Sequence, residues 1–221
     1  MRRGNHISPY YPIFLGISGK RCVVVGGGPV ALRKVGALLE HEADVEVISP
    51  DLCPELTQMA EKGTIHILHR EYDSGDLQGA FIAIAATDNG EINRKVAEEA
   101  RERGVLVNVV DDPEHSDFIV PSYLRRGAIT IAVSTAGKSP ALARRIRTQL
   151  EKEFGAEYIS LALLIDEVRS ELKRQGVKVD GDSWQEAIDL DVLLEMLRAG
   201  QSEKAKAALL TNLERLRRTK A

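Results

Sequence analysis

The chain alternates between short, wholly apolar runs and longer segments whose apolar residues recur every three or four positions. The run Arg21-Cys22-Val23-Val24-Val25 predicts a strand that stops at three glycines, and residues 31–40 then place Leu32, Val35, Leu38 and Leu39 on one helical face. Residues 45–48 predict a second strand, 52–62 a helix ended by Gly63, and 64–68 a third strand. The apolar run 80–86 predicts a fourth strand, 92–103 its helix with Gly104 as cap, and 105–110 a fifth strand. Strands apolar on both faces that alternate with helices predict a parallel sheet covered on both sides.

Past residue 112 the alternation breaks. Residues 118–124 and 128–133 are β-rich runs joined by Arg125-Arg126-Gly127, a predicted hairpin. Ser139 and Pro140 suit the N-cap and first position of a helix over 141–154. From Glu157 onward the pattern is helical, over 158–175, 184–199 and 202–218, with breaks at 176–182 and Gly200. The expected organisation is an α/β domain over 1–112, a central hairpin-and-helix region over 113–150, and an α-helical domain over 151–221.

The 221 residues are 43% hydrophobic and 29% charged with a net charge of -3, which carries no signal for a nucleic-acid or membrane partner, and neither is expected. Cys22 and Cys53 form neither a disulfide framework nor a metal-ligand spacing, as in proteins of a reducing cytoplasm. The N-terminal stretch lacks a continuous apolar region with a small-residue cleavage site, and no segment approaches the roughly 18 unbroken apolar residues of a membrane span; export and insertion are not expected. His6, His41, His66, His69 and His115 are not paired at metal-ligand spacing, so no stable metal site is expected.

The chemistry begins at the glycines. Gly26-Gly27-Gly28-Pro29-Val30-Ala31 follows a strand immediately and opens a helix inside a βαβ unit, the context in which such a turn cradles the pyrophosphate of NAD. Gly26 serves the tight turn, Gly28 the close approach of backbone to phosphate, and Ala31 the close packing of helix on strand. The helix N-terminus adds unpaired amides and partial positive charge. About twenty positions on, where an acidic residue selects NAD, stands Ser49; Asp51 follows within reach of the ribose, though it also suits the N-cap of the next helix. No arginine occurs between Ala43 and Leu68 to hold a 2′-phosphate, so NAD is expected over NADP. Thr87-Asp88-Asn89 ends strand four and Asp111 follows strand five, both at the carboxyl edge where ligands of an open α/β sheet bind. Thr87-Asp88-Asn89 also has the composition of a helix cap, and Asp111-Asp112-Pro113 that of a turn.

The ordered set VVVGGGPVALRK, AIAATDN, VNVVDDP, DFIVPS and AVSTAGKSPALARRIR resembles the precorrin-2 dehydrogenase family, the NAD-binding module of sirohaem synthases, some members of which are also sirohydrochlorin ferrochelatases. The resemblance covers residues 10 to about 155. It implies a Rossmann-type sheet, oxidation of precorrin-2 to sirohydrochlorin with NAD as hydride acceptor, a homodimer built partly by exchange of the region after the Rossmann domain, and in some members Fe2+ insertion. It places the catalytic aspartate in the motif Asn108-Val109-Val110-Asp111, making Asp111 the expected base, and matches Pro29, Val30, Pro50 and Asp51 to dinucleotide-lining positions. Thr135 stands where some relatives carry serine. Lys138, Arg144, Arg145 and Arg147 suit either an anionic polycarboxylate substrate or a solvated helix face, and His115 either the pocket, as proton acceptor or transient iron ligand, or a surface loop. A reading from another class is a dinucleotide-sensing regulatory module that binds without turnover. The absence of a recognisable DNA-reading helix-turn-helix weighs against it.

Overall fold

The computed structural model describes residues 10–220, which divide into two compact units, the first ending at Val120 and the second beginning at Pro121. Among the described residues no helix is long and apolar enough to cross a membrane.

The first unit holds a five-stranded parallel sheet built from β1 (Arg21–Val25), β2 (Asp44–Ile48), β3 (His66–Leu68), β4 (Ile82–Ala85) and β5 (Leu106–Val109), in the order β3-β2-β1-β4-β5. Three helices connect them: α1 (Pro29–Leu39), α2 (Pro54–Glu61) and α3 (Gly90–Arg103). Side chains alternate across the pleat, so Cys22 and Val24 of β1 join Val45, Val47, Ile82 and Ile84 in a core with Val35 and Leu38 of α1 and Leu56 of α2. Val23 and Val25 point the other way, into a core with Ala83, Ala85, Val107 and Val109 and with Val96, Ala97 and Ala100 of α3. Burial on both faces is why these strands read as unbroken apolar runs. Cys22 is fully buried, and burial together with the Asp44 charge pushes its thiol up to about 11.

The strand β1 coincides with its apolar run, β2 starts one residue earlier, and β3, β4 and β5 are two or three residues shorter than theirs; α3 begins at Gly90 because Asn89 caps it, accepting from the amides of Glu91 (3.0 Å) and Ile92 (3.3 Å). Gly104 closes α3 in the left-handed region at φ +68°. The helix α2 begins at Pro54 with Cys53 as N-cap and without a side-chain cap, so Asp51 does not cap it. The outer edge of β5 is met by its own continuation: a short 3-10 helix, Pro113–His115, turns the chain back. Ser116 Oγ then accepts from the Val109 amide (2.9 Å) and Asp117 Oδ2 from the Val107 amide (3.0 Å).

In the second unit β6 (Ser122–Arg126) and β7 (Ile129–Val133) pair antiparallel, with Arg126 opposite Ile129. Arg125 and Arg126 therefore belong to the strand and not to the turn expected over 125–127. The loop is two residues, Gly127-Ala128, with Gly127 at φ +58°, the glycine-first turn whose twist suits a hairpin. The helix α4 (Pro140–Glu153) starts as its sequence predicts, with Ser139 Oγ accepting from the Leu142 amide (3.2 Å). Four further helices follow: α5 (Glu157–Arg174), α6 (Gly181–Ala187), α7 (Leu190–Arg198) and α8 (Ser202–Lys220). The single helix expected over 184–199 is two, because Asp180 caps α6 through the Ser183 amide (2.8 Å) and Asp189 starts α7 through the Val192 amide (3.3 Å). Leu161, Leu164 and Val168 of α5, Leu193, Leu194 and Leu197 of α7, and Leu209 and Leu213 of α8 form one core.

Candidate dinucleotide site and the end of strand five

The strand order reverses at β1, which has β2 on one side and β4 on the other; this is the switch point where the carboxyl ends of parallel strands leave a crevice. A cavity of about 370 Å³ opens there. Its lining brings together Gly26, Gly28, Pro29, Val30, Pro50, Asp51, Thr87 and Asp88, which are all eight residues expected at the dinucleotide, with Gly27, Ser49, Glu71, Tyr72, Asn89 and Ile92 among the others.

The glycines have separate physical reasons. Gly26 sits at φ +124°, and a Cβ there would fall 2.4 Å from the Ala86 carbonyl oxygen, so the turn abuts the end of β4. A Cβ on Gly27 would fall 1.9 Å from the Asp51 carbonyl oxygen and 2.8 Å from Ser49 Oγ. Gly27 also accepts from the Cys53 amide through its carbonyl (2.8 Å), so it is the point where the glycine turn and the loop after β2 lock together. A Cβ on Gly28 would meet nothing within 4 Å. Gly28 is the N-cap of α1 and offers no side-chain cap, which leaves the first-turn amides facing open space, the arrangement a pyrophosphate needs. Ala31 is fully buried against the sheet. The residues present fit a nicotinamide dinucleotide.

Ser49, at the position of the usual acidic selector, is buried and spends its hydroxyl on the Asp51 carbonyl (2.6 Å). Asp51 is exposed in the cavity wall. Thr87 is held by Asn93, donating to Oδ1 (2.7 Å) and accepting Asn93 Nδ2 on its carbonyl (2.9 Å), so its hydroxyl orders the loop, and Asp88 is left exposed. The third wall, the loop after β3, is pinned from below by Glu99 of α3, which is 7% exposed. Glu99 accepts from the Tyr72 hydroxyl (2.5 Å), the amides of Gly75 (3.0 Å) and Leu77 (3.3 Å), and Arg103 Nε (2.6 Å). Burial works to raise the Glu99 carboxyl, but those donors outweigh it and hold it below the usual carboxylate range.

Asp111 lies outside the cavity lining. The register pairs Ala85 of β4 with Val109 of β5, so Thr87 and Asp111 each stand two residues past a matched pair at the same edge of the sheet. Asp111 is exposed and adopts φ +60°, a left-handed conformation that non-glycine residues rarely take. Its neighbour Asp112 is closed onto His115, accepting from Nδ1 (2.7 Å) and from the backbone amide (3.2 Å). These bonds bring the Asp112 carboxyl below its ordinary value against a desolvation that raises it. On the other side, Lys34 of α1 donates to Asn108 Oδ1 (3.2 Å), and Asn108 Nδ2 donates to the Phe118 carbonyl (3.0 Å). The basic residues Lys138, Arg144 and Arg145 are exposed, and Arg147 is paired with Glu151. Among the described residues no cluster of three or more His, Cys, Asp or Glu stands at metal-binding positions; His6 lies outside them.

Fold and cavity define a nicotinamide-dinucleotide-binding α/β domain followed by a hairpin and a helical region. Residues 13–122 match the family model described as putative NAD(P)-binding, and residues 126–153 match the model described as the central region of sirohaem biosynthesis proteins. The curated siroheme synthase of Thioalkalivibrio sulfidiphilus is 39% identical over 207 residues, 93% of this chain and 42% of that protein. The siroheme synthase of Chromobacterium violaceum is 40% identical over 202 residues, 90% of this chain and 43% of that protein. The chain is similar to the dinucleotide-binding and central parts of sirohaem synthases and spans less than half the length of these relatives. Among solved structures, one titled SirC, precorrin-2 dehydrogenase, shares the fold with a TM-score of 0.68 at 24% identity, covering 93% of this chain and 100% of that one.

Proposed function

We propose that the chain oxidises precorrin-2 to sirohydrochlorin with NAD as acceptor. The observation that carries the reading is the shared sheet edge, with a dinucleotide cavity at the ends of β1 and β4 and the Asp111 carboxylate at the end of the adjoining β5. Forming the new double bond removes two hydrogens from the reduced macrocycle, one as hydride and one as a proton. When bound, the dinucleotide supplies the hydride acceptor. Asp111 takes the proton, a transfer that a positioned carboxylate accelerates by about 100-fold or more.

The α1 amides after Gly26 and Gly28, with Pro29 and Val30, hold the pyrophosphate. Pro50 and Asp51 hold the adenosine ribose, and Thr87 and Asp88 line the far side. NAD is preferred to NADP because the cavity wall carries Asp51 and Glu71 and no arginine or lysine among its described lining residues, so a 2′-phosphate would meet like charge. The chain acts as a cytoplasmic homodimer in which 1–112 binds the dinucleotide, 113–150 joins the copies, and 151–221 forms a helical domain. The half-exposed apolar side chains Leu142 and Ile146 on α4 support that use of the central region. Fe2+ insertion into the product, with Fe2+ as substrate, belongs to the same reading, since chelation also requires pyrrole protons to leave.

The test is anaerobic incubation of the purified protein with precorrin-2 and NAD, following nicotinamide reduction in the near ultraviolet. Turnover is expected with the wild type and its loss, with NAD binding intact, in Asp111→Ala. Dinucleotide binding without any turnover would instead favour the regulatory reading, and sirohydrochlorin with Fe2+ in a second arm reads chelation separately.

A further inference from the structure

The loop between β3 and β4 contains no helix or strand, yet it is fastened along its length. Arg70 forks onto the Asp76 carboxylate (2.8 and 2.6 Å), which also accepts from the Asp73 amide (2.8 Å). Arg21, at the start of β1, donates to the carbonyls of Asp76 (3.0 Å) and Gln78 (2.8 Å), and Leu77 is fully buried. Within this loop Tyr72 stands half-buried, packed on the core of β4, β5 and α3 and lining the dinucleotide cavity.

The Tyr72 hydroxyl ends on Glu99 at 2.5 Å. Burying an ionised carboxyl is costly unless its lone pairs are used, and a phenol at the rim of a cavity can reach water without one. The same carboxylate accepts from the amides of Gly75 and Leu77, so it holds both the ring and the loop that carries it. The consequence is a Tyr72 ring with one position before any ligand arrives, and a side chain already ordered costs a ligand less to bind.

The strand order places that ring along the dinucleotide. The glycine turn after β1 takes the pyrophosphate, and the adenosine ribose lies toward the end of β2, where Pro50 and Asp51 stand. The outer neighbour of β2 is β3, whose loop adds Glu71 and Tyr72 to the lining, so these residues belong to the adenosine half. Tyr72 is the one aromatic side chain among the described lining residues, and Ile48 and Ile92, which pack in the same core, line the same cavity. An aromatic ring flanked by branched apolar side chains suits the face of a purine.

We propose that Tyr72 is the platform for the adenine ring of the dinucleotide and that Glu99, which holds the Tyr72 hydroxyl from beneath the loop, is its positioning residue. This rests on the reading of the crevice as the dinucleotide site. A base on an aromatic ring is held by its face, whichever group the other nucleotide carries. The two ends of the dinucleotide therefore depend on different side chains.

The experiment titrates the full chain with NADH by its fluorescence and then displaces it with AMP or with nicotinamide mononucleotide, for the wild type, Tyr72→Ala, Tyr72→Phe and Glu99→Gln, below the melting temperature of each. Tyr72→Ala should bind NADH and AMP about tenfold more weakly, the loss of one base-on-ring contact, with the mononucleotide unchanged. Tyr72→Phe keeps the ring and loses only its tether, and Glu99→Gln alters the tether from the other side; each should weaken AMP about threefold, again without moving the mononucleotide. Wild-type AMP affinity in Tyr72→Ala would overturn the platform. So would equal losses of AMP and mononucleotide, the signature of a collapsed cavity. Wild-type AMP affinity in Tyr72→Phe would overturn the positioning role of Glu99, whether or not Glu99→Gln folds. Failure of the wild type to bind NADH would overturn the reading of the crevice itself, an outcome seen before any variant is compared.

Discussion

Two adjacent glycines divide the work of the phosphate turn between folding and binding. Gly27 closes against the Asp51 carbonyl at a distance no side chain tolerates, whereas Gly28 faces space that the ligand would fill. Gly27→Ala should therefore destabilise the first unit by about 3 kcal/mol, visible as a lowered melting temperature without any ligand. Gly28→Ala should melt as the wild type does, since the φ of -86° suits any residue, but bind NAD at least about tenfold more weakly because a methyl occupies the approach to the pyrophosphate. Titration and thermal melting of the two variants separate these outcomes. The pattern of the turn made Gly26, Gly28 and Ala31 legible in the sequence. Gly27 was not, because its constraint comes from the loop after β2, more than twenty residues away. Asp51 likewise could serve as cap or ligand from sequence; the start of α2 at Pro54, with Cys53 as cap, removes the first role.

Among the elements, the strands of the parallel sheet were the most legible, since burial on both faces leaves no polar interruption. The hairpin and the helix expected over 184–199 were read less well for opposite reasons. Arg125 and Arg126 look like turn residues, yet strand β6 accepts them and the two-residue loop needs only Gly127 to enter the left-handed region. Asp189 sits in a sequence whose apolar spacing runs straight through, and only its hydrogen bond to the Val192 amide shows that it starts a new helix. Glu99 gave no signal at all: a charged residue in a helix reads as solvated, but here it is buried beneath the loop after β3. Glu99→Gln should cost about 2 kcal/mol of unfolding free energy at neutral pH, as charged hydrogen-bonded groups do. Because the folded carboxyl titrates below its unfolded value, that contribution is complete above the unfolded value of about 4.3 and fades as pH falls through the folded one. Urea melts of wild type and variant should therefore converge in acid.

At the scale of the whole chain, two compact units imply two separable responses. A dinucleotide that binds only the first unit stabilises that unit by about 2.7 kcal/mol at a hundred times its Kd and leaves the helical core of α5, α7 and α8 untouched. Calorimetry with and without NAD should show the shift confined to one part of the transition. A uniform shift would place the ligand across both units. The match of 126–153 to the central region of sirohaem biosynthesis proteins was legible in the ordered motifs of the sequence, while the helical tail carried little beyond its amphipathic spacing.

The return of the chain along β5 has a bearing on how such a protein survives at high concentration. A parallel sheet ends in a row of amides able to recruit any extended strand they meet. Here Ser116 and Asp117 occupy two of those amides with side-chain oxygens, and a carboxylate repels the acidic and unfolded segments that would add there. Ser116 and Asp117, just past the 3-10 helix, thus double as a guard against fibrous self-association, and a change at Asp117 would expose the molecule to clumping.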